Sequence, residues 1–274
     1  MSYKMIVLDL DDTLLNADQQ ISTRNKETLM KAQEEGIKVV LASGRPTFGM
    51  TSYAEELLLA DYESYILSFN GGKIINCQTD EEFFSRTLSI ESVQKLYEIS
   101  LQEDVYIHTY VGDEIITAEE NPYTTIESDL TGLPITVVDS FMDGVNKPVV
   151  KVLMVGEPEH LKQVEKKLQA ELGEEFSVMR SKPYFLEFTA KGITKGTSIQ
   201  KLIKEFGIKR EEVIAVGDSY NDQEMIEFAG LGVAMGNAPD DIKKISDYIA
   251  DTNENDGVAK VVEKFLLKEQ LITK

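Results

Sequence analysis

The stretch Met5 to Leu15 reads MIVLDLDDTLL. Its first four residues are apolar, enough for a short buried strand. The run then breaks into Asp9, Asp11 and Asp12, followed by Thr13. Carboxylates this close repel one another and gain nothing from burial. A strand that ends this way ends either in a solvated acidic turn or at a site that needs a cation. What the other strands end in decides between the two.

Working outward, Ser22 or Thr23 can cap a helix to about Glu35, with Gly36 as its stop. Ile37 to Ala42 is a continuous apolar strand running into Ser43-Gly44-Arg45-Pro46. A helix is expected from Phe48 to about Leu59, then a strand from Tyr65 to Phe69 ending at Asn70-Gly71-Gly72. Strands alternating with helices predict βαβ units and a parallel sheet. Strands that are apolar throughout fit burial on both faces.

From about Phe84 the texture changes. A helix over 92–101, a hairpin over 105–118 around Val111-Gly112-Asp113, a strand over 149–155, a helix over 159–172 and strands over 176–179 and 184–189 are expected. Residues 122–144 carry little pattern. The βα rhythm then returns: a helix from Lys195, a strand Val213 to Val216 ending at Gly217-Asp218, a short helix from Asp222, and a strand Leu231 to Met235. A helix with Pro239 in its first turn, a short edge strand over 248–250 and a last amphipathic helix follow. The expectation is an α/β fold: a doubly wound, parallel-sheet, Rossmann-like core from 1–84 and 188–274, with an α+β domain inserted at 85–187.

With 274 residues and a net charge of −20, the chain lacks the basic character that nucleic-acid or anionic-membrane binding requires. No apolar run approaches the ~20 residues of a membrane-spanning helix, and no signal peptide is recognised at the N-terminus. Cys77 is the only cysteine, so an intrachain disulfide is impossible. A cytoplasmic protein is expected. Oligomeric state is not legible in the sequence.

Four strands thus end in polar residues: Asp9 and Asp11; Ser43 and Arg45; Asn70; and Asp218, Asn221 and Asp222. In an open parallel sheet, ligands bind beyond the carboxyl ends of the strands. Asp9, Asp11 and Asp218 can supply the hard oxygens that Mg²⁺ prefers. Ser43, with nearby backbone N–H groups such as that of Gly44, can donate to phosphate oxygens. Lys195, at a helix start, adds positive charge. There is no zinc spacing, no phosphate-binding P-loop and no nucleophile elbow. Carboxylates, a lysine and a hydroxyl around a cation suit phosphoryl transfer.

These blocks together resemble the haloacid-dehalogenase superfamily of phosphatases, and within it the Cof-type (YidA-like) sugar phosphatases. The matching residues are Asp9-Leu10-Asp11-Asp12-Thr13, Ser43-Gly44-Arg45-Pro46, Asn70-Gly71, Pro183-Tyr184-Phe185-Leu186-Glu187, Ile193-Thr194-Lys195-Gly196 and Gly217-Asp218-Ser219-Tyr220-Asn221-Asp222. The insertion resembles the type C2B cap of that group, which sets substrate specificity. The resemblance implies Asp9 as nucleophile and Asp11 as acid and base. It implies Mg²⁺ on Asp9, the Asp11 carbonyl and Asp218, with Asp222 behind them holding waters or Lys195. Ser43, Gly44, Lys195 and Asn221 would bind the phosphate of a small phosphorylated metabolite. A phosphomutase or phosphotransferase on the same fold stays open. A receiver-like signalling domain would carry an aspartate after the third strand, where this chain has Asn70.

The family pattern usually has glycine where this chain has Asp12, and Asp12 is expected to point away from the metal. Arg45 reads equally as a loop anchor and as a substrate ligand. Tyr106, His108 and Tyr110 share a strand face read as packing. The resemblance implies that Tyr184 and Glu187 lie near the mouth of the site; His160 is read as solvated, and Cys77 as incidental.

Overall fold

The first apolar run forms strand β1, Met5–Leu8, buried at every position. It leads into one wide turn, Leu10–Leu14. Helix α1, Thr23–Glu34, starts where the Ser22 side chain accepts from Asn25 N–H. Strand β2 is Lys38–Ala42, helix α2 Phe48–Glu56, and strand β3 Tyr65–Ser68. Two short strands follow, β4 (Lys73–Asn76) and β5 (Glu82–Ser85). The computed structural model describes residues 3–267.

Next come helix α3 (Ile90–Gln102), β6 (Tyr106–Tyr110), β7 (Ile115–Thr117), α4 (Pro122–Thr131), β8 (Ile135–Val137) and α5 (Phe141–Gly144). They are followed by β9 (Lys151–Val155), α6 (Pro158–Leu172), β10 (Phe176–Lys182) and β11 (Phe185–Ala190). The remaining elements among the described residues are α7 (Lys195–Glu205), β12 (Val213–Gly217), α8 (Gln223–Phe228), β13 (Leu231–Ala234), α9 (Asp240–Ile245), β14 (Tyr248–Ile249) and α10 (Gly257–Phe265).

The chain divides into two compact units, residues 84–193 and the remainder. Strand β11 continues to Ala190, which carries the inserted unit past residue 187. The other unit, outside 84–193, is built on a sheet in the order β14-β13-β12-β1-β2-β3-β4-β5. It is parallel from β14 through β3, with Leu8 beside both Leu41 and Val216. The fold is α/β as expected. Strands β4 and β5 were not: Lys73–Asn76 turns back antiparallel on β3. Only two of its residues, Ile74 and Ile75, are buried, and its sequence shows no long apolar run.

Three other segments differ from expectation. Helix α2 stops at Glu56, because Leu58 takes a left-handed backbone (φ 53°). Pro239 is the residue before α9, not a residue of its first turn. The weakly patterned 122–144 segment contains α4, capped by Asn121 and closed by Gly132 at φ +73°. Its ends carried the signal; its few apolar residues hid the helix.

The inserted unit is a sheet in the order β10-β11-β9-β6-β7-β8. The expected β6–β7 hairpin is antiparallel. Ile107, Val152, Met154 and Leu186 pack with Val93, Leu161 and Leu168 of α3 and α6 as one apolar cluster. His108 is fully buried and bonded through Nδ1 to Thr124 Oγ1 at 2.9 Å. Burial, helped by nearby Lys151, pushes its imidazole down to about 3, so the ring is neutral. Glu187 is also buried, with its carboxylate 3.0 Å from Lys151 Nζ. His160 is not simply solvated: its Nε2–H donates to the Glu103 carbonyl at 2.7 Å. Among the described residues, no helix is long and apolar enough to cross a membrane.

Candidate active site

Parallel pairing brings the carboxyl ends of β1, β2, β3 and β12 to one edge of the sheet. The ladder runs one residue past each end of interest: Asp9 N–H donates to the Val216 carbonyl at 3.0 Å, and Ser43 N–H to Leu67 at 2.9 Å. Asp9 and Ser43 are therefore fixed by backbone bonds before any side chain acts.

Lys195 is the first residue of α7. Thr194 caps that helix, its side chain accepting from Thr197 N–H while the Thr197 hydroxyl accepts from Thr194 N–H. The Lys195 side chain is wholly buried, and its Nζ lies 2.5 Å from Asp9 Oδ1 and 2.6 Å from Asp222 Oδ1. Burial opposes its charge, but Asp222 and Asp9 together hold the ammonium above the usual lysine range. It is protonated at any physiological pH.

Asp222 has both oxygens committed. Oδ1 faces Lys195, and Oδ2 accepts from the N–H groups of Asp218 and Ser219 at 3.0 Å each. That turn needs Gly217, because a Cβ there would stand 2.5 Å from the Asp222 Cβ and Cγ. Asp218 Oδ1 accepts from Thr13 Oγ1 at 3.2 Å. Among the described residues, Asp9, Asp218 and Asp222 offer oxygens within 4.8 Å of one another. Burial and the charge of Asp222 raise Asp9 well above the usual carboxylate range. The same two causes push Asp218 up to about 7. Carboxylates that are costly to ionise together are where a divalent cation is best accommodated. The donor set is all oxygen and could hold a hard divalent cation such as Mg²⁺ through Asp9 and Asp218, since both Asp222 oxygens are already engaged.

The Asp11 carboxylate is not in that group. Arg45 Nε donates to its Oδ2 at 2.9 Å and Arg45 NH2 to its Oδ1 at 2.5 Å. Arg45 also bonds the Gln19 side chain and lies 5.5 Å from the Tyr53 ring centre. In this state it anchors Asp11 and the loop. Asp12 takes a left-handed backbone (φ 59°, ψ 9°), which explains why glycine suits the position and why aspartate is tolerated. Its side chain is exposed and outside the converging carboxylates, although its charge still adds to the upward shift of Asp218. Replacing Asp12 by glycine is expected to raise the stability of the metal-free protein by up to about 1 kcal/mol. Turnover should stay within about threefold of the parent. Denaturation midpoints and initial rates check this; a collapse of rate would put Asp12 in the chemistry.

Ser43 is buried and its Oγ accepts from Arg45 N–H at 3.1 Å. Gly44 lies against the Asn70 side chain, and Asn221 Nδ2 donates to Asn70 Oδ1 at 3.0 Å. Two residues were given no role in the sequence reading: Thr13, quoted only as the end of the Asp9–Thr13 block and here holding Asp218, and Asn237, whose Nδ2 donates to the Asp12 carbonyl at 2.8 Å. The signal for Asn237 was its position just after a strand end, in Gly236-Asn237.

A sequence profile described as haloacid dehalogenase-like hydrolase matches residues 6–262. The chain belongs to this family. A haloacid dehalogenase-like hydrolase from Bacteroides thetaiotaomicron superposes with a TM-score of 0.91 at 46% identity, covering 96% of this chain and 99% of that one. A HAD subclass IIB sugar phosphatase, BT4131, gives a TM-score of 0.80 at 27% identity, over 96% of this chain and 98% of its own. The 5-amino-6-(5-phospho-D-ribitylamino)uracil phosphatase YcsE of Bacillus subtilis is 30% identical over 267 residues, 96% of either chain. This hydrolase therefore shares its fold and nearly its full length with proteins named as phosphatases.

Proposed function

We propose that this hydrolase is a Mg²⁺-dependent phosphatase of small phosphorylated metabolites, sugar phosphates foremost, acting through an aspartyl phosphate on Asp9. The observation that carries the reading is the buried Lys195 ammonium shared by Asp9 and Asp222 beside Asp218. It orients one Asp9 oxygen and supplies positive charge where a phosphoryl group would arrive.

Bound Mg²⁺ would supply charge neutralisation for the transferring phosphoryl group, held by Asp9, the Asp11 carbonyl and Asp218. The chain's own residues account for the rest. An Asp9 oxygen attacks phosphorus as the bond to the leaving alkoxide oxygen breaks. Asp11 gives that oxygen its proton, which requires that it first leave Arg45. Water then attacks the aspartyl phosphate, Asp11 takes the water's proton, and the Asp9 carboxylate and inorganic phosphate are restored. Ser43, Gly44, Lys195 and Asn221 hold the phosphate oxygens. Residues 84–193 would act as the cap that selects the leaving group.

The test is a panel of phosphorylated sugars, polyols and nucleotides assayed for free phosphate with Mg²⁺ and with chelator. Phosphate release from sugar phosphates that stops on chelation is expected; isomerised sugar phosphate without release would turn the reading to a mutase. A second readout needs no substrate. Asp218 binds a proton up to about pH 7 in the metal-free fold, against an ordinary value of 3.8. Its stabilising contribution is complete below about 3.8 and gone above about 7. The melting temperature of the chelated protein should fall across that window.

A further inference from the structure

The turn after β3 carries three successive residues with positive φ: Phe69 at 53°, Asn70 at 56° and Gly71 at 90°. For the first two this is a strained backbone, and strain persists only where the surroundings impose it. The surroundings are three separate parts of the candidate site. Toward the Ser43 loop, Asn70 N–H donates to the Ser43 carbonyl and Phe69 N–H to the Arg45 carbonyl, each at 2.9 Å. Toward α7, the Gly71 carbonyl accepts from Ser198 Oγ at 2.7 Å. A Cβ on Gly71 would stand 2.7 Å from both Ser198 Oγ and the Thr194 carbonyl. Toward the turn after β12, the Asn70 carboxamide accepts from Asn221 Nδ2 at 3.0 Å.

We infer that Asn70 is a positioning residue, whose carboxamide fixes the Asn221 side chain for phosphate binding at the edge defined by Ser43 and Gly44. The inference rests on the phosphatase reading and extends it to a residue outside the set of phosphate ligands. Asn221 follows a turn held by Asp222, and both amides are only half-buried. Without a fixed acceptor, the Asn221 amide is free to rotate away from an incoming phosphate. The left-handed backbone brings the Asn70 side chain back over Gly44, where a Cβ would lie 3.3 Å from both the Asn70 Oδ1 and Nδ2. A side chain at position 44 would press on that amide, so the glycine and the asparagine serve one arrangement.

The experiment uses Asn70→Gly, because glycine adopts φ near 56° without strain while losing the side chain that carries the carboxamide. Its melting temperature should equal or exceed that of the parent. KM for the best substrate, and the inhibition constant of inorganic phosphate with Mg²⁺ present, should each rise by about tenfold, with kcat changed far less. Asn221→Ala should do the same, and the double variant should be no worse than Asn221→Ala alone, since both remove one interaction. Unchanged KM in Asn70→Gly, full additivity in the double variant, or a loss of activity that follows a lowered melting temperature would each overturn the inference. A parent protein that neither releases phosphate from any substrate nor binds inorganic phosphate would overturn the phosphatase reading, and this inference with it.

Discussion

Replacing Asp9 by asparagine is expected to lower phosphate release by roughly 10⁴-fold or more, the scale seen when a catalytic nucleophile is removed. The amide keeps the size of the carboxylate and an oxygen for Lys195, so the loss is chemical. The fold should not suffer. Asp9 is held well above the usual carboxylate range by burial and by Asp222, against the pull of Lys195. Its charge is therefore a net cost to the metal-free fold, and neutral asparagine removes that cost. Lys195 retains Asp222 at 2.6 Å. The melting temperature of chelated Asp9→Asn should match or exceed that of the parent. Near-normal turnover in a folded Asp9→Asn would rule out the aspartyl-phosphate route.

Lys195→Met is expected to damage both stability and rate. The side chain is wholly buried between two carboxylates that are themselves buried. Methionine fills most of the volume but leaves Asp9 and Asp222 facing each other without a counter-charge. Breaking such a pair costs about 3–5 kcal/mol when the remaining charge persists. Here one carboxylate can take up a proton, so the lower end applies, or a melting temperature lower by roughly 10 °C. The deficit has a defined pH dependence. Without the ammonium, the pull that lowers Asp9 is gone, and Asp9 binds its proton at higher pH than in the unfolded chain. The stability lost at pH 8 should therefore be partly recovered as pH falls through the raised values. Turnover should drop by about 10²–10³-fold from lost charge stabilisation. A variant as stable as the parent at every pH would mean that Lys195 does not carry the charge balance of this cluster.

The two substitutions separate the roles of one contact. Asp9→Asn removes chemistry and spares the fold, whereas Lys195→Met harms the fold through the same 2.5 Å contact. The difference lies in which partner is costly to bury. Burial raises Asp9 toward neutrality, but Lys195 remains charged because two carboxylates surround it.

Much of this was legible in the chain. Continuous apolar runs such as Met5–Leu8 and Val213–Val216 identified the central strands, since a strand buried on both faces has no polar positions. Polar residues directly after those runs identified the candidate site, because a parallel sheet brings all such ends to one edge. Strand β4 was not legible: half of its four residues are only partly buried, and its pairing is with a neighbour rather than a core. The role of Thr13 was not legible either: it closes the Asp9–Thr13 block, but its partner Asp218 lies 205 positions away.

The sequence by itself determined the α/β class, the parallel core and the residue types at its carboxyl edge. These follow from local periodicity and from where each run stops, which neighbouring residues settle among themselves. Only the tertiary structure decided how the three aspartates after β1 part company. Asp9 turns inward to Lys195, Asp11 is held by Arg45, and Asp12 bends the chain at positive φ with its side chain outside the carboxylate group. Three identical carboxylates cannot be told apart by composition. Their fates depend on which distant cation or backbone each one meets, and those meetings exist only once the strands have paired.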